Sequence, residues 1–312
     1  MTVTQINSPQ PRVTQPKDET GAVRPALSAP AGDSYFVLAW RRLRRDRAAM
    51  AGAVLIGLIV LAAICAPLLA PHDPTEQFRD GLSKDGWRFL LGTDANGRDL
   101  LSRILFGARV SLIVGVLANA MAIGIGTLIG SVAGYFGNPL ETLLMRFTDI
   151  MMAFPTLLLA MTLVAILKPS MWIIIMVIGL VYWTWIARVI YGQVVALRHR
   201  DFVIASRAIG SPRLYTLTRH ILPQLVPTII VWGTLGIATN VMLEASLSYL
   251  GIGVQPPTPS WGGMIQQAQS YYRTAPWMVI FPGAAIMVTI FAFNLLGDGL
   301  RDALDPSQKG KL

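Results

Sequence analysis

Apolar positions in this chain gather into long runs, separated by short stretches rich in charge, Pro or Gly. The first run extends from Ala48 to Ala70, and five more cover about 108–134, 142–167, 171–191, 226–250 and 279–298. Each is close to the ~20 residues a helix needs to cross ~30 Å of hydrocarbon. The pattern predicts an all-α, polytopic membrane protein with six transmembrane helices.

The polar stretches set the organisation. Residues 1–40, rich in Pro, Ser, Thr and Gln, read as a disordered cytoplasmic tail. Residues 41–70 form a basic stretch and the first helix, 71–107 an extracytoplasmic loop, 108–298 the core transmembrane domain, and 299–312 a cytoplasmic tail. The first apolar run exceeds the roughly 7–15 residues of a signal-peptide core, so it is read as a retained span. Six crossings put both ends on one side. The positive-inside bias puts that side in the cytoplasm: Arg41, Arg42, Arg44, Arg45 and Arg47 precede the first span, and Arg198, Arg200, Arg207, Arg213 and Arg219 fill the connection 192–225. Arg79, Lys84, Arg88, Arg98 and Arg103 run against the rule, in a long loop where it counts for less.

Composition narrows the class. Of 312 residues, 53% are hydrophobic and only 14% charged, against about 25% charged in soluble domains. The net charge of +9 sits beside apolar spans, where basic residues set orientation and meet anionic membrane lipid; no nucleic-acid partner is expected. A single cysteine, Cys65, excludes an internal disulfide and a thiolate metal site, and His72, His199 and His220 are dispersed. No metal site is expected. No internal repeat is evident, and six helices without one often make half of a pore completed by another subunit.

The connection 192–225 is compact and helical in pattern. Asp201 is a candidate N-cap, Gly210 a candidate left-handed C-terminus, and Pro212 prevents continuation. Phe202, Ala205 and Ile209 share one face, while Ala205, Ser206 and Ala208 are small enough to admit another surface. A second short turn from Tyr215 to Leu222 is expected to stop at Pro223. Two readings stand on these residues: a docking knob for a partner protein, or a helix in the lipid headgroups with its arginines on phosphates.

Residues Phe202 to Gly210, followed by Ile221-Leu222-Pro223, resemble the EAA loop of ABC importer permeases, with Ile204 where Glu is usual and Ser206 where the second Ala is usual. Leu91 to Asp99, with Ser102-Arg103 and Gly107 to Leu112, is similar to the run before the second span in the peptide branch. Ser248 to Gly262 is similar to that branch's loop before the last span. The likeness covers roughly residues 40–305 and is that of a C-type permease of the dipeptide/oligopeptide branch. It implies a type I ABC importer permease fold and a bacterial inner-membrane location. Implied partners are a B-type second permease, two ABC ATPase subunits and an extracytoplasmic binding protein. The chain has no G-x-x-x-x-G-K-[ST] phosphate loop, so no cofactor is expected on it; ATP and Mg belong to the ATPase subunits, and the chain is not itself an enzyme. The ATPase-coupling residues implied are Asp201, Phe202, Ala205, Ser206, Arg207, Ile209 and Gly210. The same branch carries nickel chelates, glutathione and some oligosaccharides. An ATP-independent secondary transporter is the alternative from another class.

Ionisable and amide groups inside spans are costly and therefore candidates for function. Arg146 and Asp149, i and i+3, are expected to pair as an anchor or a gate. Asn240 and Glu244 share a face of the fifth span, which either lines the passage or bonds another helix, across to a partner permease. Asn119 and Asn294 read as interhelical ties, and Gly126 with Gly130 as a small-residue packing seam.

Overall fold

The computed structural model describes residues 35–305 apart from Asp80 and Asp85, so residues 1–34 and 306–312, which hold most of the expected tails, lie outside the described residues. Twelve α-helices follow in order: α1 Tyr35–Arg45, α2 Arg47–Ile64, α3 Ala66–Leu69, α4 Leu100–Phe136, α5 Leu140–Ala153, α6 Thr156–Leu167, α7 Met171–Leu197, α8 Asp201–Ala208, α9 Arg213–Thr216, α10 Leu222–Tyr249, α11 Trp261–Ala268 and α12 Trp277–Ala303. Among the described residues the β structure is a single isolated bridge between Thr93 and Asp99.

Five helices are long and apolar enough to cross a membrane: α2, α4, the run ending in α10, α7 and α12. The sixth candidate is a bent pair of helices. A continuous helix was expected over 142–167, but α5 and α6 meet at 88°. Pro155 supplies the reason: it has no N–H to donate, and it drives Phe154 into an extended conformation at ψ 136°.

Two other boundaries move. Helix α1 starts inside the stretch expected to be tail; it buries Ala39 and Leu43 against the bundle and leaves Phe36, Val37 and Trp40 exposed. Asp46 separates it from α2 by capping the Ala48 and Ala49 amides at 2.8 and 3.2 Å. At the other end α12 runs to Ala303, so it extends past residue 299, where the tail was expected to begin.

In lipid, helices gain little from hiding apolar surface and associate through close packing instead. Helices α4 and α7 meet along Gly126, Gly130 and Gly134; a β-carbon on Gly130 would stand 2.5 Å from the Ala187 carbonyl oxygen. The expected Gly126–Gly130 seam is therefore present, and α7 is its other half. Gly52 lets α2 lie equally close to α12, 2.7 Å from the Ala292 carbonyl by the same measure. The outer face of α2, with Val54, Leu58, Leu61 and Ile64, stays exposed, as a lipid-facing span requires.

Candidate functional site

The connection between α7 and α10 folds into a hairpin. Arg200 occupies the N-cap of α8 without a side-chain bond, and Asp201 is the first helical residue rather than the cap. Its carboxylate there opposes the positive end of the helix dipole. The helix ends as expected at Gly210, whose φ is +79°. The Gly210 amide donates to the Arg207 carbonyl at 3.0 Å and the Ser211 amide to Ser206 at 3.2 Å, a paired closure that needs a left-handed residue between them.

Two sides of α8 have different tasks. Val203 is fully buried in a cluster with Tyr135, Val194, Leu217 and Ile221, which ties the hairpin to the ends of α4, α7 and α10. Ser206, expected on the docking side, faces inward, and its Oγ meets Thr216 Oγ1 at 3.0 Å. Arg207 lies over the Tyr135 ring at 5.0 Å. Phe202, Ala205 and Ile209 remain exposed, Ile209 at 83%, and Ile204, Leu214 and Tyr215 extend the same uncovered apolar surface. The sequence reading missed Val203 and Thr216; the i, i+3 spacing of Val203 and Ser206 was the signal.

The second turn does not stop at Pro223. Helix α9 passes through a π-helical turn, Leu217–Ile221, straight into α10, and Pro223 sits in that helix's first turn, where no amide donor is required. The hairpin is thus continuous with a membrane span. Under it, Tyr191 donates to Glu141, and Arg198 donates to the Gly134 carbonyl at 3.0 Å and lies 3.5 Å from the Glu141 carboxylate. These contacts fix the membrane ends of α4, α5 and α7 to one another.

Of the intramembrane groups, Asp149 pairs with Arg188 of α7, not with Arg146 of its own helix. Asn240 and Glu244 are both 0% exposed, packed within this chain rather than on an open face. Glu244 accepts from Ser111 at 2.8 Å and Ser248 at 2.7 Å; Asn240 donates to Asn119 at 3.3 Å, and Asn119 to the Gly233 carbonyl at 2.8 Å. They are interhelical ties between α4 and α10 of this chain, not the expected bond across to a partner permease. Asn294 lies exposed on α12.

On the opposite side, the two long strings from the loops converge. Asp94 binds Arg98 at 2.7 Å and faces Arg103 at 3.4 Å; both guanidiniums donate to Gln267 of α11, at 2.9 and 3.2 Å. Trp261 donates to the Ile104 carbonyl at 3.1 Å, and Trp277 to that of Thr93 at 3.4 Å. Arg88 lies over Phe78 and Phe89, and Lys84 over Trp277. The basic residues that run against the positive-inside bias in this loop are therefore largely neutralised or stacked.

Comparison with known proteins agrees with this architecture. Residues 126–310 match the family described as binding-protein-dependent transport system inner membrane component, and residues 34–85 match the N-terminal TM domain of oligopeptide transport permease C. The dipeptide transport system permease protein DppC of Alkalihalophilus pseudofirmus is 39% identical, with 97% of each chain covered. The di/tripeptide permease DppC of Pseudomonas aeruginosa is 41% identical over 90% of this chain and 97% of its own. The glutathione transport system permease protein GsiD of Escherichia coli is 42% identical over 87% and 90%. Among solved structures, a chain of the MetNI methionine ABC transporter in inward-facing conformations shares the fold at a TM-score of 0.56 and 15% identity, covering 65% of this chain and 96% of that one.

Proposed function

The chain belongs to the binding-protein-dependent transport system inner membrane components, and on that premise we propose that it is one of two permeases enclosing the passage of an ATP-driven importer of di- and oligopeptides. ATPase and substrate-binding partners follow from the family. The finer assignments are a B-type permease as the second half, two ATPase subunits carrying ATP and Mg, and both chain ends in the cytoplasm. The relatives named for glutathione, a tripeptide, favour a variant of the same reading with that cargo.

The observation that carries the coupling role is the two-sided α8. Val203, Ser206 and Arg207 hold it to the bundle, and Phe202, Ala205 and Ile209 offer an apolar face to a cytoplasmic neighbour. Asp201 and Gly210 fix its two ends. Because the hairpin runs without a break into α10, movement of its outer face is passed to a membrane span. An exposed apolar face favours a protein neighbour over water, and the resemblance to ABC importer permeases implies which one: an ATPase subunit. Cysteine at position 209 (Ile209→Cys) is expected to cross-link to a co-expressed ATPase subunit, with a yield that changes when ATP is trapped. Cross-links reaching lipid alone would return the hairpin to the headgroup reading.

A further inference from the structure

Arg188 and Asp149 form an ion pair between α7 and α5 that serves neither the hairpin nor the external loops. Asp149 lies nine residues after Leu140, where α5 begins, and Arg188 nine before Leu197, where α7 ends. At 1.5 Å per residue each is about 14 Å from the cytoplasmic end of its helix. Arg188 stands four residues, about 6 Å, from the midpoint of the 27-residue α7, inside a hydrocarbon layer ~30 Å thick, and Asp149 is held beside it.

At this depth the two side chains are still 46% and 38% exposed. Charged groups in the middle of a bilayer turn toward protein or a watered passage, never toward lipid tails. Asn119, Asn240 and Glu244 meet that condition by being buried and bonded within the chain. The Arg188–Asp149 pair, open in the single chain, meets it when the face it occupies looks into the passage between the two permeases. Trp185, 48% exposed, stands one turn from Arg188 on the same face of α7.

From this geometry we infer that Arg188 and Asp149 line the passage and exchange their mutual pairing for the two ends of a zwitterionic peptide. The Arg188 guanidinium takes the α-carboxylate, for which its planar fork is matched, and the Asp149 carboxylate takes the α-ammonium. A pair is what such a cargo requires. The empty site neutralises itself, so no charge stands alone in a poorly solvated passage, and the loaded site is neutral again. Recognition is confined to the termini and leaves the side chains of the peptide unread. This inference rests on the peptide-permease reading and names the residues that would touch the cargo.

The test uses the whole transporter with its binding protein in phosphatidylethanolamine/phosphatidylglycerol liposomes, and radiolabelled tri-alanine as the probe. Trp185→p-benzoylphenylalanine is expected to label with the peptide on illumination during ATP turnover. The double variant Asp149→Asn with Arg188→Gln leaves no unpaired charge, so assembly, followed by subunit co-purification, is retained. Its import is expected to fall by at least about tenfold, the scale of a lost charge-assisted contact. A double variant importing like the parent, or a photoproduct with lipid alone, overturns the inference while the permease reading stands. Failure of the parent complex to import tri-alanine strikes the peptide reading, and this inference with it.

Discussion

The hydroxyls of Ser206 and Thr216 meet at 3.0 Å in the buried seam between α8 and α9. This contact closes the hairpin between α7 and α10 on itself, and it makes Ser206 part of the seam behind the exposed apolar face. Removing one partner leaves a buried hydroxyl under-satisfied, at about 1–2 kcal/mol. Ser206→Ala should therefore speed amide exchange across residues 201–216 by about five- to thirtyfold. Without Ser206 the Thr216 hydroxyl keeps only a 3.4 Å bond to the Pro212 carbonyl, which the Thr216 amide already satisfies at 3.0 Å, so Thr216→Val on top of Ser206→Ala should add little.

The two sides of α8 separate stability from the proposed docking. Val203 is wholly buried, and Val203→Ala removes packing worth about 2 kcal/mol, lowering the melting temperature in detergent. Ile209 is 83% exposed, so Ile209→Asp should leave that temperature unchanged while abolishing co-purification of the ATPase subunit. The opposite pattern, an unstable Ile209→Asp that still binds, would remove α8 from the coupling role.

Gly210 stands at φ +79° with nothing within 4 Å of the position a β-carbon would take. The penalty for a side chain there is backbone strain alone, about 1–2 kcal/mol for a β-branched residue. Gly210→Val should insert in the membrane normally and lose peptide-stimulated ATP hydrolysis, and Gly210→Asn, which tolerates the left-handed region, should keep most of it. Steady-state ATPase assays on the reconstituted complex distinguish the two.

Asp94 balances two buried guanidiniums, Arg98 at 2.7 Å and Arg103 at 3.4 Å. Asp94→Asn leaves both without a carboxylate and should cost about 3–5 kcal/mol, breaking a buried pair from one side. Thermal unfolding in detergent is expected to fall well below that of the parent, with faster proteolysis of the loop before α4. Unchanged unfolding would mean that Gln267 and the Pro74 carbonyl suffice to hold the arginines.

Much of this protein was legible from its amino-acid order. Length and hydropathy marked five of the spanning helices, because a helix must bridge a fixed thickness of hydrocarbon. The end of α8 followed from Gly210, a local conformational demand that one residue type meets cheaply. The residues 126 and 130 already marked a packing seam, since only small side chains let helices approach closely in lipid.

Tertiary structure alone decided who meets whom. Asp149 was within reach of Arg146 by helical spacing, yet its partner is Arg188, on a different helix. Glu244 finds Ser111, and Arg98 and Arg103 share Gln267, across separations no periodicity encodes. Sequence fixes which groups are too polar to be left against hydrocarbon. The cheapest way to satisfy them depends on which helices are brought side by side, and that is settled by the packing of the entire bundle.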